Sequence, residues 1–471
     1  MTTRVVMLLY RLQVYPRSEG PPVMPPVSVF EIRLSFFSVV CLFCCTMLVS
    51  AAPAIAQSDE EPQPSVDLAE PLKVSAEGDD EQDEKKQDDL EAEVRLTALQ
   101  PPAEQPVVTP RPPTRSSRIR LARVPSMFGD FFAPPAQFAF SRAGDGLKES
   151  VSGVLPLGGA FQRSKVSDNG KAVPTDRIFF MYNHYHNAVQ GLGSSSGPPP
   201  PPISVDRYVV GFEKTFFNED CSFEFRVPFA TPADFSMPPP TDPAVFIPGD
   251  EIGNINLVFK SLVYQKDNLE CAIGLGIDLP TSGDARATVD PLPLGPPGQF
   301  SFLVKNEAVY LQPFAAFLAT PGQDTFVHGF VQFDVPTSGN LVTVGDPAKP
   351  SPVSLGSLND SALFQVDLAF GRWLYKNPSA GSIRGIAGVV ELHYITTIQD
   401  ADTVSGFVPG GSELTLGNAF NRQDFLDLTA GLHVQLFENT ALRVAGVAPL
   451  RRRPDRTFDG ELMLQINHFF R

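Results

Sequence analysis

From about residue 177 onward, apolar and polar side chains alternate one by one along the chain. Cys221, Phe223, Phe225, Val227 and Phe229 fall on one face, against Ser222, Glu224 and Arg226 on the other. Cys271, Ile273, Leu275, Ile277 and Leu279 alternate in the same way with Glu270, Ala272, Gly274, Gly276 and Asp278. A third run sets Leu426, Leu428, Ala430, Leu432, Val434 and Leu436 against Asp427, Thr429, Gly431, His433 and Gln435. A period of two is that of a β-strand with one apolar face. The pattern predicts twelve strands, near 177–189, 204–217, 221–230, 252–265, 269–280, 302–319, 323–336, 362–375, 382–398, 424–436, 441–450 and 460–470. Strands in soluble sandwiches average nearer 5–6 residues. These run to roughly 10–18, enough for a tilted strand to cross a membrane, which takes about 9–11.

The connections alternate too. Long ones fall near 190–203, 231–251, 281–301, 337–361, 399–423 and 451–459. Short ones are Asn218-Glu219-Asp220, Lys266-Asp267-Asn268, Thr320-Pro321-Gly322, Asn377-Pro378-Ser379 and Glu438-Asn439-Thr440. A sandwich has no physical reason to gather every long loop at one end, whereas an outer-membrane barrel pairs short periplasmic turns with long outer loops. In lipid the sheet must also close, because no water is there to satisfy exposed N–H and C=O groups. The expected fold is therefore all-β: an antiparallel up-and-down transmembrane barrel of about twelve strands, with ten to fourteen compatible with the pattern.

On that reading the polar row lines the lumen. Its members include Arg207, Glu213, Glu224, Arg226, Asn256, Lys260, Asp278, Gln332, Asp334, Asp367, Glu391, Asp427 and Arg443, together with Arg177, Asn183, Asn254, Gln435, Glu461 and Gln465. Both charge signs occur, so a strong ion filter is not indicated. Cross-strand pairing of Glu213, Glu224 and Arg226 equally suits a braced interior.

Ahead of the strands the chain changes character. Arg33, an apolar run from Leu34 and the small-residue pattern Ala54-x-Ala56 form a secretory signal over 1–56. Its long n-region would be explained by a start at Met24. Residues 57–95 hold 15 acids and 4 bases, and Pro-rich sequence follows to 116, so 57–116 reads as a disordered linker. Residues 57–95 alone carry as much of the net charge of −16 as the whole of 124–471, with 35 acids and 24 bases. Residues 117–176 lack a clear period. They suit a plug, a periplasmic cap or an extra strand pair.

Composition excludes several classes. An acidic chain without a basic block is a poor nucleic-acid binder. Three of the five Cys (Cys41, Cys44, Cys45) lie in the signal, leaving Cys221 and Cys271, which is no disulfide framework. His184 and His186 share a strand face, yet no third ligand follows by spacing. His393 with Glu391, and His433 with Asp427, face the lumen as possible acid/base pairs, but no placed Ser nucleophile accompanies them. No catalytic, cofactor or metal residues are assigned. Arg451, Arg452, Arg453 and Arg456 on the last long connection suit a solvated loop or contact with lipid-linked phosphates.

Gly253-Asn254-Ile255-Asn256-Leu257-Val258-Phe259-Lys260, then Gly274-Leu275-Gly276-Ile277-Asp278-Leu279-Pro280-Thr281, and finally Ala441 to Pro449, resemble strands of outer-membrane barrels of the phenol-degradation-pathway (substrate-uptake) family. The resemblance covers about 250–470. It implies a channel passing small hydrophobic compounds. The expectation is thus an outer-membrane protein with a periplasmic N-terminal arm, whose partners are outer-membrane lipid, a small solute in the lumen and the barrel-assembly machinery.

Overall fold

The computed structural model describes residues 124–133, 136–141, 150–155, 163–189, 193–194, 202–230, 235–236, 245–247, 252–289, 300–346, 352–407, 413–417 and 422–470. The signal, the acidic and Pro-rich linker and the start at Met24 lie outside these residues. No described residue is helical.

Twelve strands close into one antiparallel barrel. They are β1 (Arg177–Val189), β2 (Ile203–Phe216), β3 (Cys221–Ala230), β4 (Ile255–Lys266), β5 (Leu269–Leu279), β6 (Tyr310–Ala319), β7 (Thr325–Pro336), β8 (Leu363–Lys376), β9 (Ile383–Thr397), β10 (Asp424–Leu436), β11 (Thr440–Pro449) and β12 (Gly460–Phe469). Each pairs with its neighbours in sequence, and β12 returns to β1 with Phe469 opposite Arg177 and Gly460 opposite His186. Closure leaves no edge strand.

The alternation in the sequence becomes an inside and an outside. Along β8, Gln365, Asp367 and Ala369 are buried, whereas Leu368 is 51% and Phe370 54% exposed. Ile178, Val210, Phe212, Leu392, Leu432 and Leu462 continue this apolar outer surface around the wall. On β2 the band runs between outward Asp206 and Lys214. Eight residue steps at about 3.3 Å each span about 26 Å along the strand, or about 20 Å once tilted by 35–45°. That is close to the height of the lipid-facing band of an outer-membrane barrel.

The structure departs from the sequence expectation in two ways. The segment expected over 302–319 is broken: Phe300–Val304 leaves the barrel and only Tyr310–Ala319 belongs to it. Asn306 makes the corner, its amide bonding Asn254 Oδ1 (2.7 Å) and the Ser282 carbonyl (3.0 Å). Asn340 Oδ1 accepts from the N–H groups of Glu307 and Ala308, both at 2.9 Å.

The long connections also fold. Phe235–Ser236, Val245–Ile247, Ala285–Val289, Phe300–Val304, Asn340–Gly345 and Val353–Leu358 form a six-stranded sheet. Thr403–Phe407, Glu413–Gly417, Ala136–Ser141, Ser150–Leu155 and Gly193–Ser194 form a five-stranded one. Phe300, Phe302, Val342 and Val344 of the first share an apolar core with Val404, Leu414 and Leu416 of the second. The two sheets make a roof at the long-loop end.

Candidate functional site

Inside the wall lie two stretches of the preceding chain. Val124 stands at the short-turn mouth, beside Asn268, Gln323 and Glu438. Residues 124–133 run from there toward the roof, where Ala136–Ser141 pairs with Glu413–Gly417 and Ser150–Leu155 with Gly193–Ser194. Residues 163–176 come back. Arg163 bonds Asp334 (2.8 Å) and the Ser361 carbonyl (2.9 Å) near the roof, and Asp176 bonds the Thr215 N–H (2.6 Å) at the short-turn end. The chain thus crosses the barrel twice before β1 begins.

Of the strand-lining residues singled out from the sequence, Gln435 is half-buried at the short-turn mouth and Asn254 bonds Asn306 beside the roof; the others are buried, most of them against these crossings. Glu391 accepts the consecutive N–H groups of Phe128 (2.7 Å) and Gly129 (3.0 Å), one on each oxygen. Arg443 donates to the Met127 carbonyl (3.1 Å) and the Ser126 carbonyl, and its guanidinium stacks 4.0 Å over the Phe128 ring. Gly129 has φ +96°, and a Cβ there would lie 2.0 Å from Asp168 Oδ1, so only glycine lets the two crossings touch. Met127 N donates to the Gly170 carbonyl (2.8 Å) and Asn169 N to that of Phe128 (3.2 Å), joining them directly.

On the return crossing, Arg226 donates to the Lys165 (2.8 Å) and Val166 (3.2 Å) carbonyls. Gln332 Oε1 accepts from Val166 N (2.9 Å) and Asp278 from Ser164 N (2.9 Å). Lys260 Nζ reaches the Lys171 carbonyl (2.8 Å), and Arg207 reaches Asp168 at 3.4 Å. Asn256 holds Asp278 at 2.8 Å from the neighbouring strand. Glu213 and Glu224 are bridged by Arg177 (2.9 and 3.0 Å), with Arg226 also on Glu224 and Lys260 on Glu213 (2.9 Å). The cross-strand bracing expected of Glu213, Glu224 and Arg226 is present, and Arg177 is its hub.

Lys165 is the centre that sequence reasoning missed. Its ammonium lies 2.6 Å from both Asp130 and Asp367. His393 Nδ1 sits 2.8 Å from Asp367 and its Nε2 3.3 Å from Glu391, with Asp427 opposite His393 across the β9–β10 ladder. Asp130, Asp367 and His393 converge closely enough to suggest a metal site. The Lys165 ammonium already supplies the positive charge there, so these residues do not fit a resident cation. No signal in the sequence links Lys165 to acids on other segments.

The remaining expectations fall on the surface. The rings of His184 and His186 lie tilted 6.4 Å apart on the outer face, where His184 Nδ1 bonds Asp206 (2.7 Å). Arg451 pairs with Asp424 (3.6 Å), while Arg453 and Arg456 pair with Asp459 (3.4 and 2.8 Å). The Asn187 amide (2.8 Å), opposed by some desolvation and aided by the Arg456 and Arg453 charges, holds the Asp459 carboxyl below its usual value. Cys221 and Cys271 are both free thiols; Cys221 is buried among its neighbours.

No protein-family model matches the sequence, and no curated protein matches it. Solved structures similar to this chain are bacterial barrels. An outer-membrane channel from Pseudomonas putida F1 is 11% identical, with 64% of this chain and 97% of that one covered, at a TM-score of 0.41. The translocator domain of the autotransporter NalP from Neisseria meningitidis is 9% identical, covering 63% and 88%, at 0.38. The Ralstonia pickettii toluene transporter TbuX is 10% identical, covering 66% and 92%, at 0.34.

Proposed function

We propose that this chain is an outer-membrane uptake barrel for small solutes, hydrophobic ones included, with its own residues 124–133 and 163–176 as the plug. The observation that carries this reading is the polarity of the inner wall. Buried charged or amide side chains project inward from strand after strand, including Arg177, Glu224, Asp278, Asp367, Glu391 and Arg443, beneath an apolar outer surface. Eight strands suffice for a barrel filled by its own side chains. Twelve enclose more room, and here that room is taken by a separate stretch of chain held through hydrogen bonds and ion pairs. Such contacts can be exchanged for water at modest net cost, because buried ion pairs gain little over their desolvation. The wall is therefore compatible with a wet lumen once the plug shifts. In this orientation the short turns and the N-terminal arm are periplasmic, and assembly uses the barrel-assembly machinery.

A second reading is a surface-interaction barrel that stays closed. It is favoured by the weaving of Ala136–Ser141 into the roof between Ser150–Leu155 and Glu413–Gly417, which anchors the plug at that end. Planar-bilayer recording separates the two. A Cβ at position 276 would lie 2.9 Å from Val166 Cγ2, so a Val166→Cys, Gly276→Cys pair can lock the plug to β5. Gly129→Ala is expected to produce frequent discrete conductance steps, and the oxidised cysteine pair in that background to abolish them until reduced. Silence of Gly129→Ala in a correctly folded barrel would leave the closed reading in place.

A further inference from the structure

A cavity of about 560 Å³ opens at the short-turn mouth, between the turns that follow β4, β6, β8 and β10. Its apolar lining is Phe326, Trp373 and Val124; its charged lining is Lys376, Arg384 and Glu438. We propose that it binds a planar aromatic anion, of which a benzoate-sized carboxylate is the simplest.

Two irregularities in adjacent strands build the charged side. In β8 the register against β9 shifts between Trp373 and Tyr375. Simple alternation after Trp373 would turn Tyr375 inward; instead Tyr375 is 43% exposed and Lys376 lines the cavity. In β9 the register against β10 shifts between Ile383 and Gly385, where Ile383 is exposed and Arg384 lines the cavity. Bulges re-aim side chains in this manner. Here they bring a Lys and an Arg to the same rim. Lys376 pairs with Asp324 (3.0 Å), and Arg384 is held by its Nε on the Ala380 carbonyl (3.1 Å).

The aromatic side is equally fixed. Trp373 meets Phe326 edge-on at 6.4 Å and His433 at 5.7 Å, and Lys376 lies 5.4 Å over its ring. Gly385 makes room beneath it, since a Cβ there would sit 2.5 Å from the indole. A ring can pack against Trp373, which buried Phe326 backs edge-on, while its carboxylate meets the Arg384 fork and the Lys376 ammonium. The volume suits a small ligand. Because the cavity exists with both crossings in place, the site does not depend on whether the barrel conducts.

Trp373 is the one tryptophan in the chain, so its fluorescence reports on this cavity directly. The purified full-length protein in detergent is titrated with benzoate, benzyl alcohol and acetate. Benzoate is expected to give a saturable change, with benzyl alcohol and acetate weaker. Lys376→Gln with Arg384→Gln should weaken benzoate by about tenfold or more, the scale of a lost charge-assisted hydrogen bond. Phe326→Leu should weaken benzoate and benzyl alcohol alike. Heat-modifiable gel mobility checks that each variant is folded. Failure of benzoate to saturate, equal binding by the double variant, or acetate binding as well as benzoate would each overturn the proposal. So would binding that appears only after residues 57–123 are removed, which would make the chain's own arm the occupant.

Discussion

Glu391 receives two consecutive backbone donors, from Phe128 and Gly129. Glu391→Ala leaves both N–H groups buried without their acceptor, at about 1–3 kcal/mol each. Hydrogen exchange at Phe128 and Gly129 should accelerate strongly while the barrel strands stay protected. Unchanged exchange at those two amides would show that the crossing is held elsewhere. A second residue-scale test concerns Asp459, whose carboxyl is held low by Asn187, Arg456 and Arg453. A depressed value in the folded state means stabilisation that is full above the ordinary Asp value of about 4 and is lost as the pH falls through the lower folded value. Exchange over 451–459 should therefore rise below about pH 4, and Asp459→Asn should show the raised exchange already at neutral pH. The inward residues were legible from the sequence because alternation alone decides which face they take. Their partners were not, because Ser126, Lys165 and Asn169 belong to stretches without a period, and only the closed wall brings them near.

At the scale of elements, all twelve barrel strands were readable from period-2 runs, since each must present one apolar and one polar face over its whole length. The single misreading, 302–319, joined two runs of the same period across Asn306, whose corner depends on Asn254 and Ser282 from other connections. The roof was invisible for a related reason. Its strands are short, about five residues, and are stabilised by contacts between loops far apart in sequence. Residues 124–133 and 163–176 bond to the inner wall, while Ala136–Ser141 and Ser150–Leu155 pair with each other outside the barrel sheet. Leu414→Asp places an unpaired charge in the core shared by the two roof sheets, where burial without a partner is costly. Limited proteolysis should then cleave the loop sheets readily while heat-modifiable mobility of the barrel persists. Loss of both together would mean that roof and barrel fold as one unit.

The described residues form a wall greasy outside and charged inside, with 124–133 and 163–176 bonded to its inner face and two loop sheets at the long-connection end. The two ends of the wall carry orientation as well as architecture. With the wall in the outer membrane and its short turns inward, exposed Asp400, between β9 and the roof, faces the medium, whereas exposed Ser379, in the turn after β8, faces the periplasm. Single cysteines at Asp400→Cys and Ser379→Cys, each in a Cys221→Ser, Cys271→Ser background, test this in intact cells with a membrane-impermeant maleimide. Labelling is expected at position 400 in intact cells, and at 379 only after the outer membrane is permeabilised. Protection at 400, or equal labelling of both positions in intact cells, would contradict it.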